Sequence, residues 1–223
     1  MVVIHFILNS STARAETEKQ TRRSQELWLA CLNLCDRIAQ ATAAAPGGGS
    51  PTTEDDTFRP LIDDVVKIRD LGSGHPFVET MVDSFPEESL SRGICSEASL
   101  YERFERVYTV ARRVALIDER GGSPLRYLGS YIANWIVVTH GTVLDDDSMI
   151  DENVSQFALL DSARHHARNG NFEVAVRLVN QLRGEPRKVA GEWLREAILT
   201  LEAKQAAQCL MAHSASEGLT SLM

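Results

Sequence analysis

Residues 178–207, LVNQLRGEPRKVAGEWLREAILTLEAKQAA, constrain the fold more than any other stretch, because they dictate a helix, a turn and then a long helix. Gly184 stands where a helix ends and tolerates left-handed backbone. Pro186 stands where the next begins and has no amide donor to lose. From Val189 onward, Trp193, Ala197 and Leu201, with Leu194 and Ile198 beside them, recur at three- and four-residue spacing and make one apolar stripe. Arg187, Lys188, Glu192, Arg195, Glu196 and Lys204 mostly fall outside that stripe. No nucleophile–base pair and no metal-ligand set occurs among these residues, so the stretch reads as a surface for holding another protein surface.

The same helical grammar runs along the rest of the chain. Residues 12–45 read as one helix, rich in Ala, Glu, Gln and Arg, with Leu27, Cys31, Leu34 and Ile38 as a heptad-like seam that Trp28 and Leu32 widen. Such a seam is covered either by self-association or by the helix's own domain, and the residues leave both open. A Pro-Gly-Gly-Gly-Ser-Pro linker follows within residues 46–57. Two short helices are expected at 59–71 and 76–85, and a stronger one at 97–117. That one has Ser96 as its cap and Leu100, Phe104, Val107, Ala111 and Val114 on its buried seam. Residues 125–138 are apolar nearly all round, the mark of a central helix or an oligomer interface, and 145–152 form an acidic loop. A helical hairpin is expected from 153–168 and 171–182 about Asn169-Gly170. Strand signals are nearly absent, since the β-branched cluster at 135–139 only continues a helical pattern. The fold class is all-α: a helical bundle or hairpin domain preceded by a long amphipathic helix.

A formal net charge of −8 over 223 residues argues against nucleic acid as a partner, because phosphate binding needs a basic stripe. The four cysteines form no CxxC pair. Cys31 and Cys35 share a helix face, where a disulfide is awkward, so small buried side chains are the better reading. Residues 2–8 are apolar but far short of the roughly 20 residues that span a bilayer. No basic residue precedes them, which makes a poor secretory signal.

Sites that could carry chemistry fail on spacing. Adjacent His165 and His166 point about 100° apart on a helix and do not converge on one ion. Asp145, Asp146, Asp147, Asp151 and Glu152 lack the alternating order and central glycine of a calcium loop. The glycines at 72 and 74 lack the Lys-Ser/Thr of a phosphate loop, and no G-x-S-x-G elbow places a serine. No catalytic, cofactor-binding or metal residue is assigned, and no enzyme is expected.

Several separated blocks agree, in order, with one family. NQLRGEPRKVAGEWLREA followed by LEAKQ resembles the carboxyl-terminal signature of the mitofilins. PEESLSRGICSE from Pro86, VARRVALIDE from Val110, LRYLGSY from Leu125 and FALLDSAR from Phe157 do the same. The resemblance covers most of 84–212 and, more weakly, 24–38. It implies a scaffold of the mitochondrial contact site and cristae organising system, on the intermembrane-space side of the inner membrane. The resemblance also implies homo-oligomerisation and a partner subunit with a coiled-coil-helix-coiled-coil-helix domain. In that reading Arg187, Lys188 and Arg195 are candidates for polar partner contacts. Gly184, Pro186, Trp193, Leu194 and Leu201 are structural, while Leu27, Cys31, Leu34 and Ile38 continue a self-associating coiled coil.

Mitofilins also carry membrane-binding amphipathic helices before the signature domain. The corresponding stretch is 58–85, with Phe58, Leu61, Ile62, Val65, Val66 and Ile68 as candidate membrane contacts. Acids on the opposite side and the nearby Arg59 and Arg69 roughly cancel. Burial of the apolar face, about 2 kcal/mol per large side chain, therefore decides, and it favours lipid and protein equally.

The expected organisation is an uncertain segment 1–11, a helical arm 12–45, a linker 46–57, amphipathic helices 58–85, a signature domain 86–213 and a tail 214–223. The presequence, spanning helix and long coiled coil of mitofilins are nearly missing, so a fragment, a short isoform or an incomplete gene is expected. The competing reading is a helical-hairpin adaptor resembling tetratricopeptide folds, built on NGNFEVA from Asn169. It lacks a 34-residue period.

Overall fold

A computed structural model describes residues 2–43, 60–115 and 155–220. Among these there are eight helices and no strand, as the sequence pattern requires. The helices are α1 (Val2–Ala43), α2 (Ile62–Leu71), α3 (Pro76–Asp83), α4 (Glu87–Arg92), α5 (Glu97–Val114), α6 (Gln156–Arg168), α7 (Phe172–Asn180) and α8 (Gly184–Thr220). The expected linker, the helix at 125–138 and the acidic loop at 145–152 lie outside the described residues, as does Phe58.

The chain divides into two compact units. One comprises Met1–Ala41, Phe58–Ile94 and Glu202–Met223; the other comprises Thr42–Thr57 and Cys95–Leu201. The separate arm, amphipathic segment and tail expected from sequence are thus one body. Its core takes Leu27, Ala30, Cys31, Leu34 and Ile38 from α1, and Leu61, Val65 and Ile68 from α2 and its cap. Val78, Val82, Phe85 and Ile94 join them, with Ala203, Ala206, Ala207 and Leu210 from the end of α8. The alanines matter because small side chains let helix axes approach closely. Gly72, which ends α2, is buried for a related reason: a Cβ there would collide with the Val78 side chain.

Polar latches fix the geometry of this unit. The Arg37 guanidinium pairs with Asp64 and donates to the Pro60 carbonyl at 3.1 Å. The Leu61 amide donates to the Leu90 carbonyl at 3.1 Å. Arg23, on α1, donates to the carbonyls of Leu71 (2.8 Å), Asp70 (3.4 Å) and Ser73 (2.9 Å) and to the Ser73 hydroxyl (2.6 Å). A helix leaves its last carbonyls without internal partners and carries partial negative charge at that end. Arg23 therefore caps α2 from a neighbouring helix.

In the second unit, Ser96 and Ser155 cap α5 and α6, accepting from the amides of Ser99 (3.1 Å) and Ala158 (3.2 Å). The hairpin between α6 and α7 turns at Gly170, whose φ of 79° only glycine adopts without strain. Trp193, on α8, is 1% exposed; its indole donates to the Leu100 carbonyl of α5 at 2.9 Å and packs against Phe104 at 4.5 Å between centroids. A polar network ties α5 to α6. The Tyr108 hydroxyl donates to Asp161 at 2.6 Å, and Arg112 donates to Asp161 at 3.0 Å. Arg164 grips Glu105 with two 2.7 Å bonds and lies over the Tyr108 ring at 4.6 Å. That grip holds the Glu105 carboxyl below the usual carboxylate range.

Several boundaries differ from the sequence expectation. α1 begins at Val2, because no glycine or proline interrupts residues 1–45. α2 starts downstream of Pro60, and α3 stops before Pro86. Residues 87–92 form a helix that was not expected, although Glu87 and Glu88 in its first turn and Gly93 after it, at φ 91°, are its signals. On α5, Tyr108 joins Leu100, Phe104 and Ala111 in the core, while Val107 and Val114 are half-buried, since the helical period drifts from a strict heptad. α8 runs on through the expected tail to Thr220, with no glycine or proline between 192 and 217.

Trp193→Ala is expected to cost about 3–5 kcal/mol, and Trp193→Phe less, in urea unfolding of the whole chain. Arg23→Ala is expected to cost about 1 kcal/mol and to speed amide exchange at the end of α2, with the α5–α6 region unchanged.

Candidate interaction surface

The seam proposed for self-association is internal. Leu27, Cys31, Leu34 and Ile38 are 0–3% exposed and pack within their own unit. The correction follows from what faces them: α2 and the end of α8 carry matching apolar stripes, and covering all three together removes more surface from water than leaving two uncovered. The outward side of α1 instead presents Trp28 (39% exposed), Leu29 (49%) and Leu32 (38%). Trp28 and Leu32 are one helical turn apart and form a ridge.

The broad apolar face of α2 divides in the same way. Leu61, Val65 and Ile68 belong to the core, which removes them as membrane contacts in this conformation. Ile62 and Val66 remain outward, at 46% and 47% exposed. The wheel had merged two sides of one short helix. Asp63, Lys67, Arg69 and Asp70 are exposed on α2, and Arg69 pairs with Asp83. Phe77 on α3 and Val110 on α5 are further large apolar side chains at the surface.

Of the residues read as structural, Trp193 and Leu194 are buried and Leu201 is half-buried. Gly184 takes φ 64° at the start of α8, and Pro186 is buried within its first turn. Of the polar candidates, Arg187 donates to Asn180 at 2.7 Å and Lys188 to Glu185 at 2.7 Å. The first bond ties α8 to the end of α7, and the second lies within the first turns of α8. Arg195 is exposed on α8.

The groups capable of chemistry are quiet. Cys31 and Cys95 are buried, Cys35 half-buried and Cys209 exposed, none of the four in a disulfide. Burial pushes the Cys31 thiol up to about 11 and raises that of Cys35, the opposite of what a nucleophilic thiolate needs. His166 is buried and His165 exposed, with their rings edge to face at 5.6 Å. Among the described residues, no group of three His, Cys, Asp or Glu could hold a metal ion, and no helix is long and apolar enough to cross a membrane.

Comparison with known proteins gives this surface a context. Residues 6–215 match the mitofilin family, described as a mitochondrial inner membrane protein. The match starts inside the segment 1–11 that had been set apart. The chain is 36% identical over 212 residues to "MICOS complex subunit Mic60" of Drosophila melanogaster, covering 92% of this chain and 28% of that protein. It is 29% identical over 153 residues to "MICOS complex subunit MIC60" of Paracoccidioides brasiliensis, covering 68% of this chain and 21% of that protein. No solved structure matches. The chain thus spans about a quarter of the length of these relatives, and with a family match over nearly its whole extent it belongs to the mitofilin family.

Proposed function

We propose that this chain is a scaffold part of the mitochondrial contact site and cristae organising system, supporting crista junctions at the inner membrane by binding alone, with no catalytic step. The observation that carries the reading is the family match over residues 6–215, reinforced by 36% identity to the fly subunit. Raised thiol values and ion pairs committed to internal packing agree with it. The single α6–α7 hairpin among the described residues does not favour the tetratricopeptide-like adaptor, since about three such units are needed for a stable array.

Within this reading, other subunits of the complex are the partners. They include one with a coiled-coil-helix-coiled-coil-helix domain and a second copy of this chain. The contact residues shift from the buried seam to the outward ridge of Trp28, Leu29 and Leu32, with Arg195 as a polar contact on α8.

The inner membrane surface is a second contact, through Ile62 and Val66. Both are already half-covered, so seating them in lipid contributes about 2 kcal/mol together. That is roughly a thirtyfold preference, too weak to hold a protein on a membrane unless several copies act at once.

Depletion of the protein is expected to reduce crista junctions seen by electron tomography of mitochondria; unchanged junctions would count against the scaffold reading. On liposomes bearing multiple tethered copies, Ile62→Asp with Val66→Asp should lower flotation severalfold while leaving the helical circular dichroism intact. Equal flotation of variant and parent removes α2 as the lipid contact.

A further inference from the structure

We propose that His75, His213 and Glu217 form a proton-operated clasp, which tightens the α2–α3 link onto the end of α8 as the medium acidifies. All three lie in the first unit. His75 sits at the cap position of α3, and its Nδ1 is 3.0 Å from Glu217 Oε1. His213 lies one turn before Glu217 on α8, and its Nε2 is 3.3 Å from the same oxygen. That Nε2 is shut off from water and makes no hydrogen bond. Two imidazoles from different elements thus converge on one carboxylate oxygen, with side chains only 26–34% exposed.

The chemistry of imidazole turns this arrangement into a sensor. A neutral ring offers one N–H donor, and which nitrogen carries it is a matter of tautomer. A protonated ring offers two donors and a positive charge. Protonation therefore gives His213 Nε2 a proton to present to Glu217, and converts the His75 contact into a charge-assisted bond. Phe77 packs against the His213 ring with centroids 4.4 Å apart, and an aromatic face attracts a cation more than a neutral ring.

The surrounding charges are mixed. From α1, Glu16, Lys19 and Arg23 line the same hollow as His75, and Arg23 is held by the carbonyls of Asp70, Leu71 and Ser73. From α3, Glu79 accepts from the Gly74 amide beside His75. The sign follows from which ring form the clasp favours. Its contribution is present where the imidazoles are protonated and is lost as rising pH removes their charge.

The test uses the full chain, with urea midpoints of parent and Glu217→Gln measured at pH 5.5 and pH 8. The parent's advantage should be larger at pH 5.5 and should lose its pH dependence in a His75→Asn, His213→Asn background. An advantage equal at both pH values overturns the clasp. Should the Glu217→Gln chain fail to fold, the carboxyl carbon resonance of Glu217 in the parent decides. A shift that follows the imidazole titration supports the clasp, and a resonance unmoved between pH 5.5 and 8 overturns it.

Discussion

The burial of one face of α1 is the constraint on which the first unit depends. Leu27, Cys31, Leu34 and Ile38 are nearly sealed from water, and the surfaces that seal them come from segments far away in sequence: α2 with its cap residue Leu61, and Ala203, Ala207 and Leu210 on α8. Each large side chain so covered is worth about 1.5–3 kcal/mol, whereas an exposed ion pair is worth less than about 1 kcal/mol. Hydrophobic coverage therefore sets which helices join, and the polar latches set how they sit. Arg23 at the end of α2, and Arg37 between Asp64 and the Pro60 carbonyl, act as such latches. They penalise the sliding of α2 along α1 that a purely greasy seam would tolerate.

The second unit solves the same problem with an aromatic centre. Trp193 fills the space against Phe104 and gives its one polar atom to the Leu100 carbonyl, so a large side chain is buried without an unmet donor. Around it the Tyr108–Asp161–Arg112 and Glu105–Arg164 groups bind α5 to α6. Here the charges serve registry. Burial, followed by the bond to Asp161, raises the Tyr108 hydroxyl above its ordinary value and keeps it protonated as a donor.

Local rules were readable from sequence wherever a single residue enforces them. Ser96 caps α5, Gly170 turns the hairpin, and Gly184 with Pro186 separates α7 from α8. The all-α class followed from the same punctuation, and the blocks read as mitofilin-like fall inside the family match. What periodicity could not supply was the identity of the cover. A stripe such as Leu27 to Ile38 announces that something must bury it and is silent on whether that is a second copy or α8, some 165 residues later in the chain. The wheel of α2 failed for a related reason. Ten residues give fewer than three turns, so Leu61, Val65 and Ile68 could not be separated from Ile62 and Val66 without a neighbour to define the inside. Arg23 was missed because it is exposed and its partners are backbone carbonyls nearly 50 residues away, which no side-chain pattern encodes.

The division of those faces bears on how such a chain grips. Among the described residues, what remains outward is a set of small pieces: the Trp28–Leu32 ridge, the Ile62–Val66 pair, Phe77 and Val110. None is large enough to hold a partner tightly alone, because association must first offset several kcal/mol of lost translational and rotational freedom. Weak pieces become strong when presented together, since a second contact made by an already tethered molecule is effectively intramolecular. These relatives are about three times the length of this chain, and in the proposed assembly that tethering comes from outside these two units. Folding then supplies rigidity and correctly spaced contacts, and multiplicity supplies affinity. For a scaffold this also keeps every contact reversible, because each can let go singly while the others hold.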